Sequence, residues 1–520
     1  MPISQQGAVN TTSLIVPDLY VQIVPPQNLV LNGVPTNILG VVGTAPWGPV
    51  DEPTIVGTMA DYAQQFGTIV PRTYDMGTQV ATAVQQGAQN FRCVRVTDGT
   101  DAAASSTVPG SNASFTAIYT GSLGNAITLT LGVGSQPNTW KLSVLLSGFE
   151  PEVYDGLTGN GAAFWTALAT AVNSGLGPQR GPSHLIIASA GGTTASPAPF
   201  SLSLGSSSAG SDGAGQVGSS QLVGADIPTR SGMYALRGQG CGLALLADCA
   251  DSTTWSTQAG FGLEEGIYMI LTTPAGDTIT NAVATIAAAG LDSYAAKLMF
   301  GDWLWWSDQV NNTIRLVSPQ GFAAGRLANL SPEQSSLNKQ IYGIIGSQSN
   351  GTPGSGQNTT YSTADLSALL GAGIDLICNP QPGGSFWGVR GGHNTSSDPA
   401  TDGDNYTRLT NYIAETLAAG MGQYVGQVVN SNLFQQIRST QLSFLNNMFG
   451  QGLLGSTDGS LPFTVICDTS NNPVSRTSLG YVQSDSQIQY QAINERFIVN
   501  VEGGQTVQVS RQTLPTGRVN

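Results

Sequence analysis

Residues 242–302 read GLALLADCADSTTWSTQAGFGLEEGIYMILTTPAGDTITNAVATIAAAGLDSYAAKLMFGD, and three pieces of that stretch decide the architecture. GLALLAD (242–248), GIYMILTT (266–273) and AKLMFGD (296–302) are short runs, apolar along almost their whole length. A strand with one wet face alternates apolar and polar residues, whereas a continuous apolar run is covered on both faces. Between these runs, about 253–264 and 278–290 read as helices. Strand and helix alternating in this way predict a parallel sheet with helices on both faces.

The pattern extends outward in both directions. ILGVVG (38–43) and FRCVRV (91–96) read as further buried strands. Thr58 is placed to cap a short helix over 58–66. Met76, Val80, Ala83, Val84 and Gly87 fall on one face of a helix over about 74–90. Downstream, LVSPQGFAAGRLANL (316–330) reads as a strand and then a helix, with Ser318 as cap and Pro319 in the first position. IDLICNP (374–380) and FWGVRG (386–391) are strand-like, and two longer helices are expected over 405–425 and 432–449. PFTVICD (462–468), QIQYQAINERFIVNVE (487–502) and TVQVS (506–510) read as terminal strands.

Composition shifts divide the chain. Residues 1–36 are rich in Pro, Asn and Gln, with a β-like piece at Leu14, Ile15 and Val16, and read as an extended arm. Small polar stretches at 98–114 and 201–221 bracket alternating strands (126–133, 140–147 and 184–189) and a helix over 161–173. The expected organisation is an N-terminal arm (1–36), a first core part (37–97), an inserted small α+β domain (98–220), an α/β domain (221–372), a C-terminal core (373–502) and a C-terminal arm (503–520). The fold class is therefore multidomain α/β, with a mixed or parallel core and extended termini.

The 520 residues suit three or four units at roughly 150 residues each. Only 10% are charged, against about 25% in ordinary soluble domains. The lysines are Lys141, Lys297 and Lys339, and the formal net charge is −14. Nucleic-acid binding needs a basic footprint that such a chain lacks. A polybasic membrane anchor fails for the same reason, and no apolar run approaches the ~20 residues of a membrane span. No basic segment followed by a long apolar stretch opens the chain, so no secretory signal is expected. Five scattered cysteines suit buried, reduced thiols and assembly in a cytoplasm.

Catalytic patterns are mostly missing. No Gly-Lys pair exists for a phosphate-binding loop, and Gly238, Gly240 and Gly242 precede a strand rather than follow one. His184 and His393 are the two histidines. His393, near Asp398, Asp402 and Asp404, offers a hydrolase alternative; a solvent-exposed Gly-rich loop, with Asp404 or Asn405 as a helix N-cap, is the simpler reading. Asp248 and Asp251 end a parallel strand, where α/β sheets often place active groups, yet have no evident partner base. Trp303, Trp305 and Trp306 suit a domain seam or a subunit contact. No cofactor or metal is expected.

ILGVVGTAPWGPVDEPTIVGTMADYAQQFG (38–67) resembles the N-terminal signature of contractile phage tail sheath proteins, with Gly43, Ala45, Trp47, Gly48 and Pro49 in its turn and Phe66-Gly67 closing its helix. SLGNAITLTL (122–131) resembles the opening of that family's inserted β domain, and GSDG (210–213) with TRSGMYALRG (229–238) the return to the core. At 316–346, Ser318-Pro319 stands where the family usually has Pro-Pro, while Gly321, Ala324 and Gly325 keep its small residues. Residues 374–392 and FTVICDTSNNP (463–473) extend the likeness over nearly the whole chain.

The resemblance implies a non-enzymatic structural subunit. Six copies would ring a tail tube, rings would stack helically, and terminal arms would add strands to neighbouring copies. Phe497, Val499, Val501, Val507 and Val509 alternate as such a strand would, and Leu14, Ile15 and Val16 would serve at the other end. Partners would be other copies, the tube protein, and baseplate and terminator proteins, in a virion tail. Arg390, Arg408 and Arg438 are candidates to face the tube. A tail-like bacteriocin or injection machine is an alternative setting. A trimeric receptor-binding adhesin is disfavoured by the strand–helix alternation.

Overall fold

The computed structural model describes residues 3–4, 21–22, 31–178 and 180–501. Its centre is a seven-stranded sheet in the order Ile374–Asp375, Ala296–Met299, Tyr268–Thr272, Leu243–Leu246, Leu39–Gly43, Phe91–Arg95, Thr54–Val56. All neighbours pair in parallel except the antiparallel edge strand Thr54–Val56. The three apolar runs of 242–302 are adjacent in it, as their composition requires.

Period-two geometry splits each strand between two apolar clusters. Leu39, Val41, Leu243 and Leu245 face one cluster, covered by helices Met59–Phe66, Met76–Gln85 and Gln320–Asn329. Val42, Ala244 and Leu246 face the other, covered by Trp255–Glu265, Ile279–Ala289 and Thr363–Gly371. The small residues of 316–330 have a packing reason. A Cβ added at Gly325 would lie 2.4 Å from the Ala83 Cα, and one at Gly321 would lie 2.2 Å from the Thr82 hydroxyl. These glycines let two helices touch backbone to backbone.

Several boundaries differ from expectation. Thr58 caps Met59–Phe66 through a reciprocal capping box with Asp61, as read. The next helix spans only Met76–Gln85, because Asp75 caps it and Gly87 turns the chain at φ +96°. Ser318 does not cap Gln320–Asn329; its hydroxyl accepts from the Gln79 amide at 3.0 Å. Asp404 is the first residue of Asp404–Met421, not its N-cap, which is Gly403. The expected strand over 487–502 ends at Ile488, and residues 489–501 form neither strand nor helix.

Residues 104–204 build a separate apolar cluster. It contains a four-stranded sheet, Glu152–Leu157, Trp140–Leu145, Thr128–Val133 and Phe200–Ser203, a three-stranded sheet, and helix Gly161–Ser174. Trp47, from the 43–49 turn, is its one buried member from outside that stretch and stacks edge-on with Tyr119 at 5.5 Å. Gly48 sits at φ +97° with the Gln65 carbonyl 2.5 Å from where a Cβ would be. The buried Arg95 guanidinium donates to the carbonyls of Gly48 and Thr120, both at 2.7 Å, and of Asp212 at 3.1 Å. One cation thus ties the turn to Thr120, just past strand Ser114–Ala117, and to the returning segment at Asp212.

The C-terminal region packs helix Asp404–Met421 and helix Ser431–Gly450 against a two-stranded antiparallel sheet, Phe463–Ile466 with Asp485–Ile488. Leu31 joins that cluster, and Val34 N–H donates to Thr416 Oγ1 at 3.2 Å, so residues 31–36 run as a strap along the first helix. Residues 3–4 and 21–22 pair with each other in parallel.

Strand order reverses between Leu39–Gly43 and Leu243–Leu246, and open α/β sheets bind ligands in the crevice outside those carboxyl ends. Here the crevice is filled. Asp248 accepts from the Gln79 amide at 2.8 Å and from Tyr74 N–H at 3.2 Å, while Gln320 accepts from Asp248 N–H at 3.0 Å. Burial pushes Asp75 up to about 7 and Asp248 to about 6, against hydrogen bonds from Thr78 and Ser318. A carboxyl raised on folding holds its proton in the native state, so its stabilisation is lost as pH rises from the unfolded value to the folded one. For these two groups alone, unfolding free energy should fall between pH ~4 and ~7. Denaturant midpoints measured at pH 5 and pH 8 should differ in that direction, and Asp75→Asn, which retains a capping side chain, should shrink the difference.

Candidate functional site

With the central crevice filled, the chemistry lies at the C-terminal region, and its placement begins with a buried cation. Lys297 interrupts the apolar strand Ala296–Met299 and is fully buried. Its ammonium lies 2.6 Å from Asp375 Oδ2 and 3.0 Å from Asp404 Oδ1, and donates to the His393 carbonyl at 3.0 Å. Asp375 also accepts N–H bonds from Gly391 at 2.8 Å and Gly392 at 2.7 Å. Asp404 accepts from the hydroxyls of Tyr268, at 2.7 Å, and Ser336. Burial alone would raise Asp404, but the Lys297 charge and these hydroxyls hold it down at about 2. The same two carboxylates raise Lys297 against the opposing effect of burial. This knot fixes the 391–394 loop and the start of Asp404–Met421 to the sheet.

The loop in turn holds the C-terminal segment. His393 Nε2 is 2.9 Å from Glu495 Oε1, and Nδ1 is 3.9 Å from Asp402. Asn405 Nδ2 donates to the Gln491 carbonyl at 3.0 Å, and Tyr490 stacks edge-on with Tyr406 at 5.8 Å. Beyond Glu495 the segment lies open: Phe497 is 82% exposed, Val499 64% and Val501 86%. Among the described residues no strand pairs with it, and none flanks the outer side of Asp485–Ile488. An exposed apolar segment (Phe497, Ile498, Val499 and Val501) and a sheet edge with no flanking strand among the described residues thus lie a few residues apart in sequence. Together they can add a strand to another chain or receive one.

The other sequence candidates fall as follows. Leu14, Ile15, Val16, Val507 and Val509 lie outside the described residues. Arg408 is not tube-facing. It is buried, donates to the Leu330 and Ser331 carbonyls at 2.8 and 3.0 Å, and is pulled down by burial to about 10. Arg438 is on an exposed helix position and donates to the Val465 carbonyl at 3.1 Å. Arg390 is half-buried in a cleft. His184 is exposed, and Asp251 caps a short turn through Thr253 N–H. Trp306 donates to Gln85 at 2.9 Å and Trp303 to the Thr273 carbonyl at 3.3 Å, both within the fold.

Among the described residues, the His393 ring contacts two carboxylates, Glu495 and Asp402. Of the serines lining its cleft, Ser397 donates to Asp292 at 2.6 Å, and Ser396 pairs with Thr401 at 2.8 Å. Asp404 is bound into the knot rather than facing the imidazole. Among the described residues no cluster could hold a metal ion, and no helix is long and apolar enough to cross a membrane. Sequence reading missed the knot. Its one signal was a lysine inside an otherwise apolar strand.

No protein-family model matches the sequence, and no curated protein is similar to it in sequence. Its fold does match solved structures. A sheath tail protein of Desulfitobacterium hafniense is 16% identical with a TM-score of 0.57, covering 86% of this chain and 93% of that one. A sheath tail protein of Listeria innocua is 13% identical with a TM-score of 0.58, covering 85% and 90%. The helical sheath of the anti-feeding prophage in its contracted state is 11% identical with a TM-score of 0.55, covering 94% and 99%. The chain therefore has the contractile tail sheath fold, as the motifs at 38–67 and 316–346 led us to expect.

Two outcomes follow from this geometry. Lys297→Ala would strand two buried carboxylates, so thermal unfolding should show a loss of roughly 3–5 kcal/mol. His393→Ala removes a partly exposed contact worth about 0–1 kcal/mol. Trypsin cleavage after Arg496 should accelerate a few-fold while the melting temperature stays nearly unchanged.

Proposed function

We propose that this chain is the repeating subunit of a contractile sheath, joined to its neighbours by strand addition. The observation that carries the reading is the exposed apolar segment 497–501, on a fold matched over 94% of the chain by a contracted helical sheath. Six copies would form a ring around a tail tube, and rings would stack helically. The sheath would be assembled in a metastable extended state. A baseplate signal would release it, and rigid cores would repack while their arms kept them linked.

No cofactor or nucleotide enters this scheme. The driving free energy is the difference between two sets of subunit interfaces, summed over many copies. Arg390 and Arg438, neither of them buried, are the remaining candidates for tube contact. A phage tail, assembled in the host cytoplasm and carried on the virion, is the setting we favour. A sheath in an injection machine or tail-like bacteriocin is the second reading, favoured by the likeness to the anti-feeding prophage sheath.

Electron microscopy of purified protein, with and without tube protein, tests the assembly. Full-length chain should form striated hollow tubes in at least one condition. Deleting residues 1–20, or 503 to the end, should leave a folded core that forms none. Val499→Pro, which blocks strand pairing, should do the same. Normal tubes from all three variants would refute the linkage by arms.

A further inference from the structure

The C-terminal segment does not fill the groove it crosses. On one side of it lies a cleft of about 900 Å³, lined by Lys339, Arg390, Arg496, Glu333 and Glu495. The two carboxylates are already engaged. Glu333 accepts from Ser331 and Gln334, and Glu495 faces His393. The three cations are not: among the described residues no ion pair and no side-chain hydrogen bond involves Lys339, Arg390 or Arg496. Elsewhere the pattern is mixed: among the described residues Lys141, Arg92, Arg326, Arg438 and Arg476 also lack a carboxylate partner. The chain has only 18 lysines and arginines against 32 acids. Arg72, Arg180, Arg230, Arg237 and Arg315 all have carboxylate partners. Set against Glu333 and Glu495, the three unmatched cations leave this cleft with a small positive excess on an otherwise acidic protein.

We propose that this cleft is a docking surface for a second copy of the chain, held through that copy's exposed carboxylates. The inference rests on the self-assembly reading above. Charge complementarity supplies the occupant. The chain carries a net charge of −14, so another copy brings a surplus of acids. Exposed Glu52 and Glu150 are examples whose side chains make no hydrogen bond or ion pair among the described residues. The position adds a reason. Arg496 immediately precedes the exposed segment 497–501, so a copy paired with that segment is brought within reach of the cleft. Charged contacts of this kind steer encounter and fix register, and they weaken as salt rises.

The test compares the critical concentration for tube formation, by pelleting and microscopy, of full-length wild type, Arg390→Glu/Arg496→Glu and Arg390→Gln/Arg496→Gln. Arg230→Glu controls for charge change elsewhere, and thermal melts check that each variant folds. The glutamate pair should raise the critical concentration at least about tenfold, and Arg230→Glu should leave it within about twofold. Raising salt from about 0.1 M to about 0.6 M should weaken wild-type assembly more than that of the glutamine pair. Wild-type behaviour from a folded glutamate pair would overturn the proposal. So would a glutamate pair that assembles normally but loses only its binding to tube protein, since the occupant would then be a different acidic protein. A chain truncated after Arg496 separates the two claims. If it assembles while the glutamate pair does not, the cleft stands and strand addition falls. A wild-type chain that never associates with itself overturns both.

Discussion

A single ammonium group, on fully buried Lys297, has two carboxylates in contact, Asp375 and Asp404. Removing such charges from water costs several kcal/mol each, recovered only when every remaining lone pair and proton is satisfied. That requirement dictates the local structure. Backbone N–H groups of Gly391 and Gly392 must point at Asp375, and the hydroxyls of Tyr268 and Ser336 must point at Asp404. Three separate parts of the chain, a sheet strand, the 391–394 loop and the first turn of Asp404–Met421, can meet these demands in only one register. The 391–394 loop and the start of Asp404–Met421 take their position from that register, and with them the imidazole that contacts Glu495.

The molecule combines an over-determined interior with an under-determined end. The switch-point crevice is filled by Gln79, Asp248 and Gln320, so the place where α/β sheets usually accept a ligand is part of the core. Arg95 fastens the outer unit to the same sheet at three carbonyls. The segment after Glu495, by contrast, buries little and pairs with nothing among the described residues. An exposed apolar segment left in this way is a template for pairing with another chain, as the proposed strand addition requires. A rigid body with loosely held connectors suits a lattice whose subunits must move together without separating.

Much of the sheet was legible because its strands are buried on both faces, and continuous apolar runs admit few other readings. Thr58 was legible as a cap because a capping box is a local device. Errors came where distant groups override local preference. Ser318 looked like a cap, but Gln79, from another helix, claims its hydroxyl. Asp404 looked like a cap, but Lys297 claims its carboxylate. Arg408 looked like surface, because a helical arginine usually is, yet two carbonyls at the end of helix Gln320–Asn329 and just beyond it draw it inside. The strand expected over 487–502 has the right alternation and lacks a partner within one chain. That failure falls in the segment we propose for strand addition.

Amide hydrogen exchange, compared between dispersed chain and assembled tubes, measures that element directly. Residues 497–501 and the strand Asp485–Ile488 should change together. In dispersed chain the amides of 497–501 should exchange at nearly unfolded rates. In tubes, alternate amides along 497–501, and those facing the outer side of Asp485–Ile488, should slow by about a hundredfold or more as ladder hydrogen bonds form. Tubes in which 497–501 still exchange at unfolded rates would contradict strand addition as the link between subunits.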